Sequence, residues 1–223
     1  MQSLKKKNLF STISMIVLTI IGLALIFQPY ISQHFAKSKT EQYKISNISS
    51  DQLEQNAKQS EKFLSQFSDN HSLKVTALVS IPELNINLPV FNNDSDDAIT
   101  YGASNVRKSK IGEGNYSLAS HFVFSGSKNR LFTPLINAKK GTKVYVTDKS
   151  KIYTYEIYEI FDVDQYAVQV LDDIKDEKTI TLITCADFKA EYRHIYRGKL
   201  INAQNYNESS EEVKSSFEKE FNL

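Results

Sequence analysis

The sequence predicts an all-β fold, a barrel or sandwich with short helices, preceded by a single membrane-spanning helix. Three observations carry that expectation. Short segments of period-two hydrophobicity recur between Val75 and Ile201, with turn-forming residues between them. The aromatic residues are 12 Tyr and 13 Phe with no Trp, a composition suited to pleated, half-buried surfaces. Leu9 to Phe27 is almost wholly apolar and carries no charge. As a helix that run would extend roughly 28 Å, close to the thickness of a bilayer core.

At 223 residues the chain suits one domain with appendages. A net charge of +1 gives no strong pull toward nucleic acid or acidic substrates, and no nucleic-acid partner is expected. Lys5, Lys6 and Lys7 precede the apolar run, and the positive-inside rule leaves them in the cytoplasm. The rest of the chain is then outside the cell. The rival is a cleaved signal peptide, but the run is long for a signal core and no Ala-x-Ala site follows it.

Lys37 to Asn70 is rich in Gln, Ser, Lys and Glu. It reads as a partly helical spacer or as a plain solvated linker. From Leu73 the composition changes. Val75, Ala77 and Val79 alternate with their neighbours. Leu84, Ile86, Leu88 and Val90 then alternate with Glu83, Asn85, Asn87 and Pro89, which predicts a half-buried strand. Pro89 marks an edge or a strand terminus. Asp94 or Ser95 would cap a short helix running to Tyr101. Val106 to Gly114 is a basic, glycine-containing loop. Tyr116, Leu118 and the residues up to His121 form the next strand, and Leu131 to Ala138 a short helix ending near Gly141. Alternation marks strands around Val144 and Val146, and around Tyr153, Tyr155 and Ile157. Asp162 to Lys178 is a long loop with room for a helical turn. Thr179 to Thr184 is dense in β-branched residues and predicts a strand. Ala186 to Glu191 break it, and a last strand runs from Tyr192 to Ile201. Beyond Ile201 the chain is polar, with Val213, Phe217 and Phe221 at four-residue spacing. A short amphipathic helix and a frayed tail are both open there.

Cys185 is the only cysteine, so an exported chain has no internal disulfide and must rest on its core. An unpaired external thiol is either an apolar filler or a reactive group. It ends one strand, and Arg193 begins the next. That pairing suits a nucleophile beside an anion-stabilising cation.

The motifs around it carry a resemblance. Thr181-Leu182-Ile183-Thr184-Cys185 resembles the Thr-Leu-x-Thr-Cys signature of the sortases. Arg193-x-Ile195-Tyr196-x-Gly198 resembles the arginine-bearing strand that follows it in that family. Asn115 to His121 is similar to the family's histidine segment, with Ser120 where a glycine is usual. The similarity covers about residues 75–202 and is greatest to the class A, housekeeping members. It implies an eight-stranded sortase-type β-barrel with short helices. The division is then a cytoplasmic tail over 1–8, a transmembrane signal anchor over 9–28, an extracellular stalk over 29–72, a catalytic domain over 73–204 and a C-terminal tail over 205–223.

The resemblance implies a membrane-anchored cysteine transpeptidase of a Gram-positive-type cell surface. It would cut a Leu-Pro-x-Thr-Gly-like sorting signal after Thr and join that Thr to an amine of lipid II or peptidoglycan. Cys185 would be the nucleophile, His121 the general acid/base and Arg193 the oxyanion or carbonyl donor. Thr184 would assist through its hydroxyl or its N–H, and Val168, Val170 and Leu171 would line an apolar substrate pocket. The other histidines fit less well. His34 lies beside the membrane and His71 at the stalk boundary, and strand alternation turns His194 away from the face of Arg193. Arg197 shares that face but lies about 13 Å along it, and reads as a solvated surface charge.

Some class A relatives bind calcium through an acidic loop before the histidine strand. Here that loop is Val106-Arg107-Lys108-Ser109-Lys110, so no metal and no cofactor is expected. Two other functions compete: a cell-wall cysteine peptidase and a non-enzymatic, membrane-tethered binding domain. Papain-like peptidases place Cys before His in the chain, whereas here His121 comes first.

Overall fold

The computed structural model describes residues 18–19, 73–124 and 128–223. The expected anchor over 9–28 lies, but for two residues, outside the described residues, as does the stalk over 29–72. Among the described residues no helix is long and apolar enough to cross a membrane.

Eight strands form a closed barrel. They are β1 (Val75–Ile81), β2 (Ile86–Phe91), β3 (Ala103–Asn105), β4 (Asn115–Ala119), β5 (Lys143–Thr147), β6 (Lys151–Asp164), β7 (Thr179–Cys185) and β8 (Tyr192–Asn205). Around the barrel the order is β1-β2-β3-β4-β7-β8-β6-β5. The pairs β2–β3 and β4–β7 are parallel and the others antiparallel. Two short helices, α1 (Asp96–Tyr101) and α2 (Glu211–Ser216), lie outside the sheet. Ser95 caps α1 by accepting the Ala98 N–H, which satisfies one of the helix's unpaired donors.

Alternation along the strands sorts their side chains into two cores. Val79, Ile81, Ile86, Leu88, Tyr116, Leu118, Ile180 and Leu182 fill the barrel. On its outside, Leu78, Phe91 and Ile152 pack with Tyr206, Phe217 and Phe221 from the C-terminal residues. The segment from 206 to 223 is therefore folded onto the barrel, with Phe217 fully buried.

That packing explains where β2 departs from expectation. The strand is buried on both faces, not half-buried. Asn87, expected to face water, is bonded by the C-terminal segment: its Nδ2 donates to the carbonyls of Phe217 (3.3 Å) and Lys219 (2.7 Å). Pro89 sits inside β2 rather than at its end. Of β2 only Val90 and Phe91 pair with β3, so the ladder on that side demands no N–H from Pro89. Leu84 belongs to a 3-10 turn over Pro82–Leu84, and the short helix expected over Leu131 to Ala138 is a 3-10 helix over Thr133–Asn137. β6 runs to Asp164, into the expected loop, because its ladder with β8 continues to Asp164↔Tyr192. The loop's expected helical turn is a 3-10 turn over Val168–Leu171.

Candidate active site

The barrel order brings β4 beside β7, and β7 beside β8. β4 and β7 are parallel, in the register Ala119↔Ile183. Their C-terminal ends therefore lie at the same end of the barrel. His121 is two residues beyond Ala119, and Cys185 two beyond Ile183, so the register continued past β4 brings them level. On the other side of β7, Cys185 is paired directly with Arg193 of β8. Opposed residues of an antiparallel pair share a face, and neighbouring strands are about 4.8 Å apart. Cys185 is thus paired with Arg193 on one side, and on the other the β4 register leads toward His121.

Alternation also decides what lies away from this face. Ile180 and Leu182 point into the barrel core, and Thr184 follows them at 2% exposure. Its hydroxyl is buried with no hydrogen-bond partner and lies on the face opposite the Cys185 thiol. His194 is opposite Thr184 in the ladder and pairs with Asp162 of β6. It is on the Thr184 face, as strand alternation requires, and not on the face of Cys185 and Arg193.

Arg193 Nη1 donates to the carbonyls of Ala190 (2.6 Å) and Tyr192 (3.1 Å). The guanidinium is thereby braced against the loop that joins β7 to β8. Asp187 shapes that loop. Its carboxylate accepts the N–H groups of Tyr192 (2.7 Å) and Glu191 (3.2 Å), and these donors hold its pKa below the usual carboxylate value. Sequence reasoning passed over Asp187. Its position one residue into the six-residue break between strands is the signal that could have found it, because Asp side chains bond the backbone of the turns they begin.

His121 is half-buried, and burial pushes its pKa below 6.5, with the nearby Asp96 carboxylate pulling the other way. The residue before it, Ser120, does not use glycine's conformational freedom: it is not among the residues with positive φ. Its hydroxyl donates to the carbonyl of Gly102 (2.6 Å), and its N–H to that of Ile183 (3.2 Å). The serine hydroxyl therefore adds a tether between the end of α1 and the end of β4 that a glycine could not make. Beyond the histidine, Phe122 packs at a tilt against Phe124 at 4.7 Å, and Phe124 meets Phe188 edge-on at 5.7 Å. This aromatic chain links the histidine segment to the loop after Cys185.

The 3-10 turn over Val168–Leu171 lies over the outer face of β4, β7 and β8. Val170 is buried and its carbonyl accepts Nδ2 of Asn115 (3.0 Å) and Nη2 of Arg197 (3.3 Å). Val168 is exposed, and Leu171 is half-buried. Arg197 is accordingly not the solvated surface charge expected. Its side chain is only 15% exposed, reaches Glu159 at 3.4 Å and lies over the Phe161 ring at 5.2 Å. A ladder position that looked open is covered by the 168–171 turn. Asn115 was also passed over. Its Oδ1 accepts the Thr181 (2.8 Å) and Thr179 (3.2 Å) hydroxyls, its Nδ2 donates to the carbonyls of Val170 and Asp172, and its N–H donates to Asp173 (2.7 Å). In the basic loop, Arg107 pairs with Asp172 at 2.7 Å. Among the described residues no cluster of His, Cys, Asp and Glu is arranged to hold a metal ion.

The arrangement can do thiol acyl chemistry: a nucleophile at a strand end, a proton carrier level with it and a fixed cation opposite. Known proteins agree with that reading of the fold. Residues 79–201 match the model of the sortase domain. Sortase A of Streptococcus agalactiae serotype III (strain NEM316) is 37% identical across 96% of this chain and 94% of that one. Sortase A of Listeria monocytogenes serovar 1/2a (strain ATCC BAA-679 / EGD-e) is 34% identical across 78% and 83%. The solved structure of Listeria monocytogenes sortase A superposes with a TM-score of 0.60 at 30% identity, covering 65% of this chain and 98% of that one. With a full-length relative at this identity and the matching domain and barrel, the chain belongs to the sortase family of cysteine transpeptidases.

Proposed function

We propose that this enzyme cleaves a Leu-Pro-x-Thr-Gly-like sorting signal after Thr and joins the Thr to an amine of lipid II or peptidoglycan. The observation that supports the reading is the pairing of Cys185 with Arg193, beside a β4–β7 register that leads toward His121.

In the proposed cycle the Cys185 thiolate attacks the Thr carbonyl carbon, forming a C–S bond and an oxyanion. Arg193 donates to that oxyanion. The oxyanion collapses, the Thr–Gly C–N bond breaks, and the leaving amine takes a proton from the His121 imidazolium. A thioester remains. The acceptor amine then attacks the thioester and gives a proton to His121. A new C–N bond replaces the C–S bond, and thiolate and imidazolium are restored. Thr184 would contribute through its backbone, since its hydroxyl lies on the core face. Val168 and Leu171, on a turn pinned at Val170, would meet the Leu-Pro pair. The apolar run over 9–27 would tether the enzyme to the membrane, with the barrel outside the cell. Transfer would need no calcium, because Arg107 already lies against Asp172.

The test is peptide transfer by the full chain in detergent, using a Leu-Pro-x-Thr-Gly peptide and an amine acceptor, with and without a chelator. Cys185→Ala should abolish both cleavage and transfer. His121→Ala should cost at least roughly 10²–10⁴-fold, the usual scale of lost proton transfer. Arg193→Ala should cost about 10²–10³-fold, and Arg193→Lys should recover little of it because an ammonium lacks the planar fork. His194→Ala should keep most of the activity. A dead His194 variant beside an active His121 variant would overturn the assignment, and a several-fold loss on chelation would overturn calcium independence.

A further inference from the structure

The histidine segment is held from two sides. On one side Ser120 bonds the carbonyls of Gly102 and Ile183. On the other, a corner at residues 131–133 holds it. The Phe132 N–H donates to the His121 carbonyl (3.2 Å), and the Val123 N–H donates to the Thr133 hydroxyl (2.8 Å). Phe132 itself is fully buried.

That corner begins with an unfavourable residue. Leu131 has φ of 51°, in the left-handed region where a branched side chain is strained. Something must hold it there, and a single distant residue grips both of its backbone groups. The Leu131 N–H donates to the Asn222 carbonyl (2.6 Å), and Asn222 Nδ2 donates to the Leu131 carbonyl (2.8 Å). Asn222 is in turn fixed to β2. Its Oδ1 accepts the Asn87 N–H (2.8 Å), and its own N–H donates to the Asn87 carbonyl (3.3 Å). Asn222 thus uses backbone and side chain together, as an extra rung between β2 and the corner.

We infer that Asn222 is a positioning residue for His121: by clamping Leu131 in its left-handed conformation, it holds the corner that sets the histidine's backbone. The inference rests on the reading of His121 as the acid–base group, and it touches neither substrate nor thiol. A loosened corner would let the His121 segment drift outward and rehydrate, while the 168–171 turn, held by Asn115 and Arg197, stays as it is.

The test compares three variants of the full chain in detergent, reading peptide-transfer kinetics and the titration of His121 by NMR of labelled histidine. Asn222→Ala should lower kcat roughly tenfold, below the hundredfold scale of a full ångström of misplacement, and leave KM within about twofold. The His121 titration should move up toward that of an ordinary histidine. Asn222→Asp keeps the acceptor for Asn87 but loses the donor to Leu131, and should give the same changes in smaller measure. Phe217→Leu weakens the same outer core without touching Leu131, and should lower stability while leaving kcat and the titration alone. An Asn222→Ala enzyme with unchanged kcat and titration would overturn the proposal, as would a Phe217→Leu enzyme that reproduced both changes. If the parent chain transferred no peptide, the substrate reading would fall, and the His121 titration would still decide the role of Asn222.

Discussion

At the scale of single residues, His121 is the point of tension. Burial holds its pKa below 6.5, while the Asp96 carboxylate opposes that shift. In the proposed cycle the imidazolium gives the leaving amine its proton, so at neutral pH the working form is the minority form. Every unit of lowering costs about tenfold in that fraction. Asp96 therefore matters although it touches no reacting atom. Asp96→Asn removes the charge and leaves the Ser95 cap in place. Its His121 should titrate lower than in the parent, and kcat/KM at pH 7 should fall several-fold. At a pH low enough to charge the histidine in both, the two enzymes should converge on the protonation step. An unmoved His121 titration in the variant would remove Asp96 from the account. The same depression has a sign for stability. Protonation favours the unfolded chain, so the contribution of His121 is complete above about pH 6.5 and is lost as pH falls through its lower folded value.

At the scale of elements, the decisive one is the 3-10 turn over Val168–Leu171. A four-residue turn has little stability of its own, so its placement depends on what holds it. The Arg107–Asp172 pair joins it to the basic loop, but both side chains are about half exposed or more, and such a pair is worth about 0–1 kcal/mol. The stronger holds are the two donors on the Val170 carbonyl, Asn115 and Arg197, both shielded from water. Arg197→Ala should therefore loosen the turn and raise the KM for the sorting peptide several-fold, with kcat changed little. Arg107→Ala should be near neutral in both. Steady-state kinetics over a range of peptide concentrations separate these outcomes. A loss in kcat without a change in KM would mean that Arg197 acts on the chemistry and not on the turn.

At the scale of the whole molecule, the barrel and the convergence of Cys185 with Arg193 were legible in the sequence, because strand alternation is a local rule with a fixed period. The placement of His194 on the opposite face from Arg193 was legible for the same reason. What could not be read were the polar residues buried by distant chain: Asn87 under the C-terminal segment, Arg197 under the 168–171 turn and Asn115 at the meeting of three elements. Nothing within a few residues of Asn87 distinguishes it from a solvated strand residue. Its partners lie more than a hundred residues away. The spacing of Val213, Phe217 and Phe221 hinted at a helix, yet α2 stops at Ser216, and the two phenylalanines are buried beyond its end. The two cores are not separable, since β1 sends Val79 into the barrel and Leu78 into the outer cluster. A defect in the outer cluster must therefore be felt by the barrel. Phe221→Ala should cost about 3–5 kcal/mol, the usual range for emptying a buried phenylalanine site. It should do so within one cooperative transition, because no strand belongs to the outer cluster alone. Urea unfolding of the full chain in detergent, followed by far-UV circular dichroism and by tyrosine fluorescence, checks both points. A second transition at low urea, seen by one probe and not the other, would show that the C-terminal segment comes away while the barrel stays folded.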